Sequence, residues 1–493
     1  MNAAAWIRKW ALLSPDKVAL VDDDRPFTYR ALNQRINRVC NFLLKKGLKR
    51  GDRVVVLLHN CSPFLEIFFA VSKIGAILVP LNFRLSGPEI RYVINDCGGE
   101  TFFFGESFCA ALEGIRDEIP VRQGRFICVG GESSSWGESY EKLLESDSSQ
   151  EPSVPERGNG ESPHMIMYTS GTTGLPKGAV LSERKTFFNV LNANLYYQVT
   201  SPDRIVVSRP LFHSGGLLVD SLPFLYKGAT VIMRRRFEPE ELLKTIERYA
   251  VSVVETSATM YRFVLEEGHL GRYALSSVRC FFTGGEQVPL SLLRAYAERE
   301  LVLSQIFGQT ETSTITWLPT EHAIRKMGSV GIPVFHGEVR IVDKTGRDVP
   351  PGEIGEIIVS GPILMSGYWG KPEMTEEVVR EGWLYTGDLG VRDEEGFFHI
   401  IDRVKNVFIS GGENVYPAEV EKVIRECPKV AAVAVVGVPD ARWGETGKAF
   451  VVCREGDRVA PEEIRQWCMG KLAAYKIPKH VAFVERIPEN AAG

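Results

Sequence analysis

Residues 165 to 178 read M-I-M-Y-T-S-G-T-T-G-L-P-K-G, an apolar run that empties into small, hydroxyl-bearing and glycine residues ahead of a lysine. A short apolar run bounded by turn residues predicts a buried strand, Met165-Ile166-Met167-Tyr168, feeding a loop. In that loop Gly171 and Gly174 let successive N–H groups turn toward one anion. Thr169, Ser170, Thr172 and Thr173 add hydroxyl donors, and Lys177 supplies a mobile positive charge. Such a loop suits a polyphosphate, although its order is not the G-x-x-x-x-G-K-[ST] of the Walker loop. A polar hairpin turn draws on the same residue types, so the strand entry and the lysine carry the reading.

Elsewhere, residues 54–58, 76–79 and 101–104 read as buried strands, with helical patterns such as residues 27–46 among them. This alternation predicts an α/β fold of largely parallel sheets covered by helices. At 493 residues and 44% hydrophobic, the chain divides into at least two domains. Residues 132–163 are rich in Ser, Glu, Gly and Pro and read as an exposed connector with a short helical patch at 140–144. Residues 64–81 are the most apolar region, but Glu66 and Lys73 interrupt them, so a buried helix followed by a strand is expected rather than a transmembrane segment.

A net charge of -4 argues against nucleic acid as a partner. Nine scattered cysteines without a C-x-x-C pair read as reduced thiols of a cytoplasmic protein. Arg234-Arg235-Arg236-Phe237 is a basic patch that suits either a solvated strand end or peripheral contact with an anionic membrane or the phosphates of a ligand.

Further motifs follow in order: Pro210-Leu211-Phe212-His213, Thr283-Gly284-Gly285-Glu286, Phe307-Gly308-Gln309-Thr310-Glu311, Tyr385-Thr386-Gly387-Asp388 and Asp402-Arg403-Val404-Lys405. With the loop, they make nearly the whole chain resemble the adenylate-forming superfamily of acyl-CoA synthetases, luciferases and peptide-synthetase adenylation domains. Within it the chain is similar to the AMP-dependent acyl-CoA synthetase, or fatty-acid-CoA ligase, branch. The resemblance implies a large N-terminal domain over residues 1–401, a hinge at 402–405 and a small, mobile C-terminal α+β lid over 406–493. By the same resemblance Lys405 is the pivot, Arg403 reaches the ribose and Asp388 accepts from both ribose hydroxyls. A homodimer stays open.

The chemistry so implied joins like charges, because a carboxylate must attack the α-phosphorus of ATP. Residues Thr169 to Lys177 then hold the β- and γ-phosphates, Thr310 contacts phosphate, and Glu311 offers a hard oxygen ligand to Mg²⁺. Phe307 takes the place of a usual tyrosine that stacks on adenine, so stacking is kept without the hydroxyl. Gly284, Gly285 and Glu286 bring backbone close to the base, and Gly308 and Gln309 complete that strand end. Relatives carry a catalytic lysine directly after the residues matching Asn490-Ala491-Ala492-Gly493. None of Lys471, Lys476 or Lys479 takes that position, so the lid is expected to stop just short of it.

Ile409-Ser410-Gly411-Gly412-Glu413-Asn414-Val415-Tyr416-Pro417 resembles the acyl-CoA synthetase branch, where Gly411 and Gly412 let the pantetheine arm of coenzyme A pass. His213 stands where amino-acid-selecting relatives place an aspartate, which removes the counter-charge for an ammonium group. His213, Ser214, Gly215, Gly216 and Gly308, with Ala258 and Met260, form the expected acyl pocket. They point to a carboxylic acid, with a medium- or long-chain fatty acid preferred, aryl acids or o-succinylbenzoate as alternatives, and a carrier-protein loader or silent nucleotide-binding homologue as other classes.

Overall fold

The computed structural model describes residues 2–131, 137–154, 160–169, 175–286, 288–403, 408–415, 417–454 and 456–487. Arg53–Leu57, Ile77–Pro80, Thr101–Gly105 and Phe126–Val129 are rich in Val, Ile, Leu and Phe and pair in parallel, as strands do when covered on both faces. Helix Ser62–Ile74 links the first two and is buried along its whole length; Pro63 starts it and Gly75, at φ 78°, closes it. Its two charged residues are paired. Glu66 accepts from Arg35 Nε at 2.6 Å and Tyr140 OH at 2.5 Å, while Lys73 donates to Asn37 and Glu151 at 2.7 Å each. Among the described residues no helix is long and apolar enough to cross a membrane.

These strands continue through Pro163–Thr169 and Lys177–Ser182 into an eight-stranded sheet. A second sheet, of nine strands, holds Val253–Thr256, Cys280–Gly284 and Leu303–Gln309 side by side in parallel. Their C-terminal ends therefore meet along one edge of the layer, where open α/β sheets bind ligands. A third sheet, Glu338–Val342, Gly355–Ser360, Val379–Arg380, Trp383–Arg392 and Phe398–Arg403, is wholly antiparallel. The expectation of mainly parallel sheets holds for the two large layers and not for this one.

After residues 404–407, which lie outside the described residues, a smaller domain begins. Val430–Asp440 and Gly444–Cys453 form its long hairpin, flanked by Phe408–Ser410 and His480–Phe483 and covered by helices Pro417–Arg425 and Pro461–Cys468. It has its own core of Phe408, Val420, Ile424, Val433, Val451 and Ile464. The connector also differs from expectation. Helix Tyr140–Ser146 buries Tyr140, Leu143 and Leu144, because Tyr140 reaches the carboxylate of Glu66.

Candidate active site

Pro163–Thr169 and Lys177–Ser182 are antiparallel, with Thr169 opposite Lys177, so the two feet of the expected phosphate loop stand side by side. Ser170, Gly171, Thr172, Thr173 and Gly174 lie outside the described residues, but both feet of the loop are placed. Thr169 Oγ1 donates to Glu311 Oε1 at 3.3 Å, and Tyr368 OH donates to the same oxygen at 3.0 Å. Lys177 Nζ sits 4.1 Å from the centre of the Tyr368 ring, a cation–π contact. Tyr368 thus links the loop lysine to Glu311. Sequence reasoning passed over it, since it arrives from Gly367–Tyr368, an edge strand paired with the hairpin.

Asp388 is buried, and Gln309 Nε2 donates to it at 2.6 Å and to the Thr386 carbonyl at 2.8 Å. This bond ties the F-G-Q-T-E strand to the antiparallel sheet. In backbone register Asp388 faces Arg403; Lys405 lies outside the described residues, as do residues 490–493 beside the expected lysine. Two glycines let strands close on one another. A Cβ on Gly284 would lie 2.4 Å from the Ile306 carbonyl oxygen, and one on Gly308 2.0 Å from that of Ser313. The Glu286 carboxylate accepts from Thr259 N at 2.7 Å and Thr259 Oγ1 at 3.0 Å, fixing the start of helix Ala258–Glu266.

A cavity of about 270 Å³ opens at these strand ends. Thr169, Gly284, Gly285, Glu286, Phe307, Gly308, Gln309 and Thr310, expected at the nucleotide, line it, and so do His213, Ser214, Gly215, Gly216 and Met260, expected at the acyl group. Lys177, Glu311 and Asp388 are not wall residues but adjoin it, the first two through Thr169 and the third through Gln309. Ala258 is not in the wall either. It packs in the apolar cluster of Leu242, Ile246 and Tyr296, as an alanine on the inward face of a helix does.

The small domain completes the cavity with Gly411, Gly412, Glu413, Tyr475 and Lys476. Gly411 and Gly412, at φ 58° and 80°, form the two-residue turn between Phe408–Ser410 and Glu413–Val415, a turn that needs positive φ at both positions. Glu413 accepts from His213 Nε2 at 2.9 Å and pairs with Arg84. Desolvation of the half-exposed ring, with Arg84 and Arg209 nearby, lowers the His213 pKa while Glu413 pulls it up; in the neutral imidazole Nε2–H donates to that carboxylate. Three more contacts seat the small domain: Asn82 Nδ2 to Tyr475 OH at 3.3 Å, Ser86 Oγ to the Lys471 carbonyl at 2.9 Å, and Lys476 Nζ to Glu89 at 2.9 Å. Of the basic patch, Arg234 is taken up by Asp24 at 3.0 Å and Thr245 at 2.8 Å, while Arg235 and Arg236 are exposed.

Comparison with known proteins matches residues 7–369 to the family described as AMP-binding enzyme and residues 419–493 to the AMP-binding enzyme C-terminal domain. A feruloyl-CoA synthase from an Amycolatopsis species is 39% identical over 99% of this chain and 96% of its own. An indoleacetate–CoA ligase from Aromatoleum aromaticum is 36% identical over 100% of this chain and 96% of its own. Two structures of the o-succinylbenzoate CoA synthetase of Bacillus subtilis each cover 99% of this chain and 96% of theirs. A double mutant with a product analogue gives TM-score 0.89 at 31% identity, and the complex with its acyl-adenylate intermediate gives 0.74 at 32%.

Proposed function

The chain belongs to the AMP-binding enzyme family, and from that membership we propose that it is an AMP-forming CoA ligase acting on an aromatic carboxylic acid. The observation that carries this reading is one cavity walled by the nucleotide-holding strand ends of the large domain and by Gly411, Gly412 and Glu413 of the small one. A carboxylate oxygen attacks the α-phosphorus of ATP and pyrophosphate leaves; the sulfur of CoA then bonds to the carbonyl carbon and AMP leaves. Thr169, Lys177 and Thr310 take the phosphates, Asp388 and Arg403 the ribose, and Phe307 the adenine face. Glu311 is a single carboxylate beside the phosphate loop, which suits Mg²⁺, an ion that takes one or two protein carboxylates and fills its other positions with phosphate and water. When bound, the ion offsets phosphate charge.

The higher TM-score against the product-analogue complex than against the acyl-adenylate complex supports reading this domain arrangement as the one for thioester formation. Adenylation then uses a second arrangement, with residues 402–405 as hinge. An aromatic acid is preferred to a fatty acid on two grounds. The relatives named for ferulate and indoleacetate span nearly the whole chain, and the cavity wall carries a guanidinium, Arg209, ill matched to an alkyl tail. Incubating the protein with ATP, Mg²⁺, CoA and a panel of acids tests it. Aryl-CoA, AMP and pyrophosphate in equal amounts are expected. Release of ADP, aryl transfer to a carrier protein but not to CoA, or a preference for decanoate overturns it.

A further inference from the structure

Arg209 begins the turn into the P-L-F-H motif and lines the cavity, with its side chain only 13% exposed. Its Nε and Nη2 donate to the two oxygens of Asp220 at 3.1 and 2.8 Å, and Nη2 also meets Glu255. Both carboxylate side chains are fully buried. Asp220 lies on the π-helix Gly215–Ser221 and Glu255 on the strand Val253–Thr256, so two separate elements fix one face of the guanidinium. Nη1 has no protein hydrogen-bond partner among the described residues. The wall beside it is Gly215, where a Cβ would lie 2.8 Å from Cζ and 2.9 Å from Nη1.

Resting on the reading above, we propose that Arg209 is a specificity-determining residue that donates from Nη1 to an uncharged oxygen substituent, a hydroxyl, ether or keto group, on the aromatic acid. Leu218, Val219, Met260 and Ile306 line the same cavity and offer the ring an apolar bed. A second carboxylate on the acid is disfavoured. Two buried carboxyls already face this one guanidinium, so its charge is matched before any ligand arrives and little is left for another anion. Asp220 and Glu255 act through Arg209 as positioning residues.

The test compares kcat/KM for cinnamic acid with that for its ring-hydroxylated and methoxylated analogues. Wild type is expected to favour the best oxygenated acid by about 10- to 100-fold, the range of a charge-assisted hydrogen bond in a site built for it. Arg209→Met is expected to bring this ratio to within about threefold of unity, mainly through KM for the oxygenated acid. A purely structural role would lower both values together and leave the ratio where it was. Arg209→Met strands two buried carboxyls, so Gly215→Ala serves as a second variant that keeps all three charges and displaces the guanidinium. Melting temperature and ATP binding report that each variant is folded. A wild-type ratio near unity, or a ratio unchanged in a folded variant, overturns the inference while leaving aromatic-acid ligation standing. Turnover of decanoate and of no aromatic acid removes both.

Discussion

Nε2 of His213 lies 2.9 Å from Oε1 of Glu413, and the same carboxylate pairs with Arg84. His213 and Arg84 belong to the large domain and Glu413 to the small one, so this contact is made only when the two domains meet. A neutral imidazole donating to a carboxylate aims the ring and joins the two domains at the cavity wall. Glu413→Gln is expected to slow aryl-CoA formation from supplied aryl-adenylate by about 10- to 100-fold, the loss of one charge-assisted bond. Single-turnover chemical quench checks it. Desolvation, Arg84 and Arg209 lower the His213 pKa and Glu413 opposes them, so its neutral form is expected to be lost only on the acid side of the ordinary imidazole range.

Gly411 and Gly412 are not equivalent. Both need positive φ, but a Cβ on Gly411 would also lie 2.8 Å from the Trp443 ring, whereas Gly412 has nothing within 4 Å. Gly412→Ala is expected to cost about 1 kcal/mol of small-domain stability. Gly411→Ala is expected to cost about 1 kcal/mol more and to reduce CoA transfer as the turn shifts. Thermal unfolding and the thioester rate report the two effects.

Much of the cavity wall was legible because it is written in contiguous runs. Thr169, Gly284, Gly308 and Gln309 each end or interrupt an apolar strand; parallel pairing brings the ends at Gly284 and Gln309 together, and Thr169 reaches the same cavity from the other large sheet. What escaped depends on contacts far apart in sequence. Tyr368 meets Glu311 across 57 residues and Arg84 meets Glu413 across 329, with no local pattern to mark either. Asp220 and Glu255 did leave a signal, one acid each in L-L-V-D-S-L and V-V-E-T, since a charge inside an apolar run needs a buried partner. The antiparallel sheet carrying Asp388 was missed because alternation of hydrophobicity does not fix strand direction.

Lys185 is fully buried, donates to Ser313, and has its pKa lowered to about 7, chiefly by burial and against the opposing pull of Glu311. The folded protein therefore holds fewer protons here than the unfolded chain between about pH 7 and 10.5. The cost to stability is full below pH 7 and is relieved as pH rises through that window. Lys185→Met is expected to stabilise the protein by a few kcal/mol at pH 6, on the order of the desolvation it removes, and by less at pH 9. Denaturant unfolding at the two pH values measures the difference.

Lys476 Nζ is buried between Glu89 of the large domain at 2.9 Å and Glu419 of its own domain at 2.5 Å. Glu89 also accepts from Ser86 N and Oγ, at 2.8 Å each, at the start of helix Gly87–Cys97. Glu89→Gln keeps an acceptor for that cap and removes only the charge across the domain boundary. Weaker docking is expected, seen as faster hydrogen exchange at Lys471–Lys476 and a thioester step slowed by roughly 3- to 10-fold, with Glu419 still satisfying Lys476.

The most direct test supplies a preformed aromatic acyl-adenylate and CoA to the protein and follows one turnover. The account predicts rapid, stoichiometric aryl-CoA and AMP, because this domain arrangement already joins Gly411, Gly412 and Glu413 to the cavity wall at His213. Hydrolysis of the adenylate with CoA left untouched would contradict it.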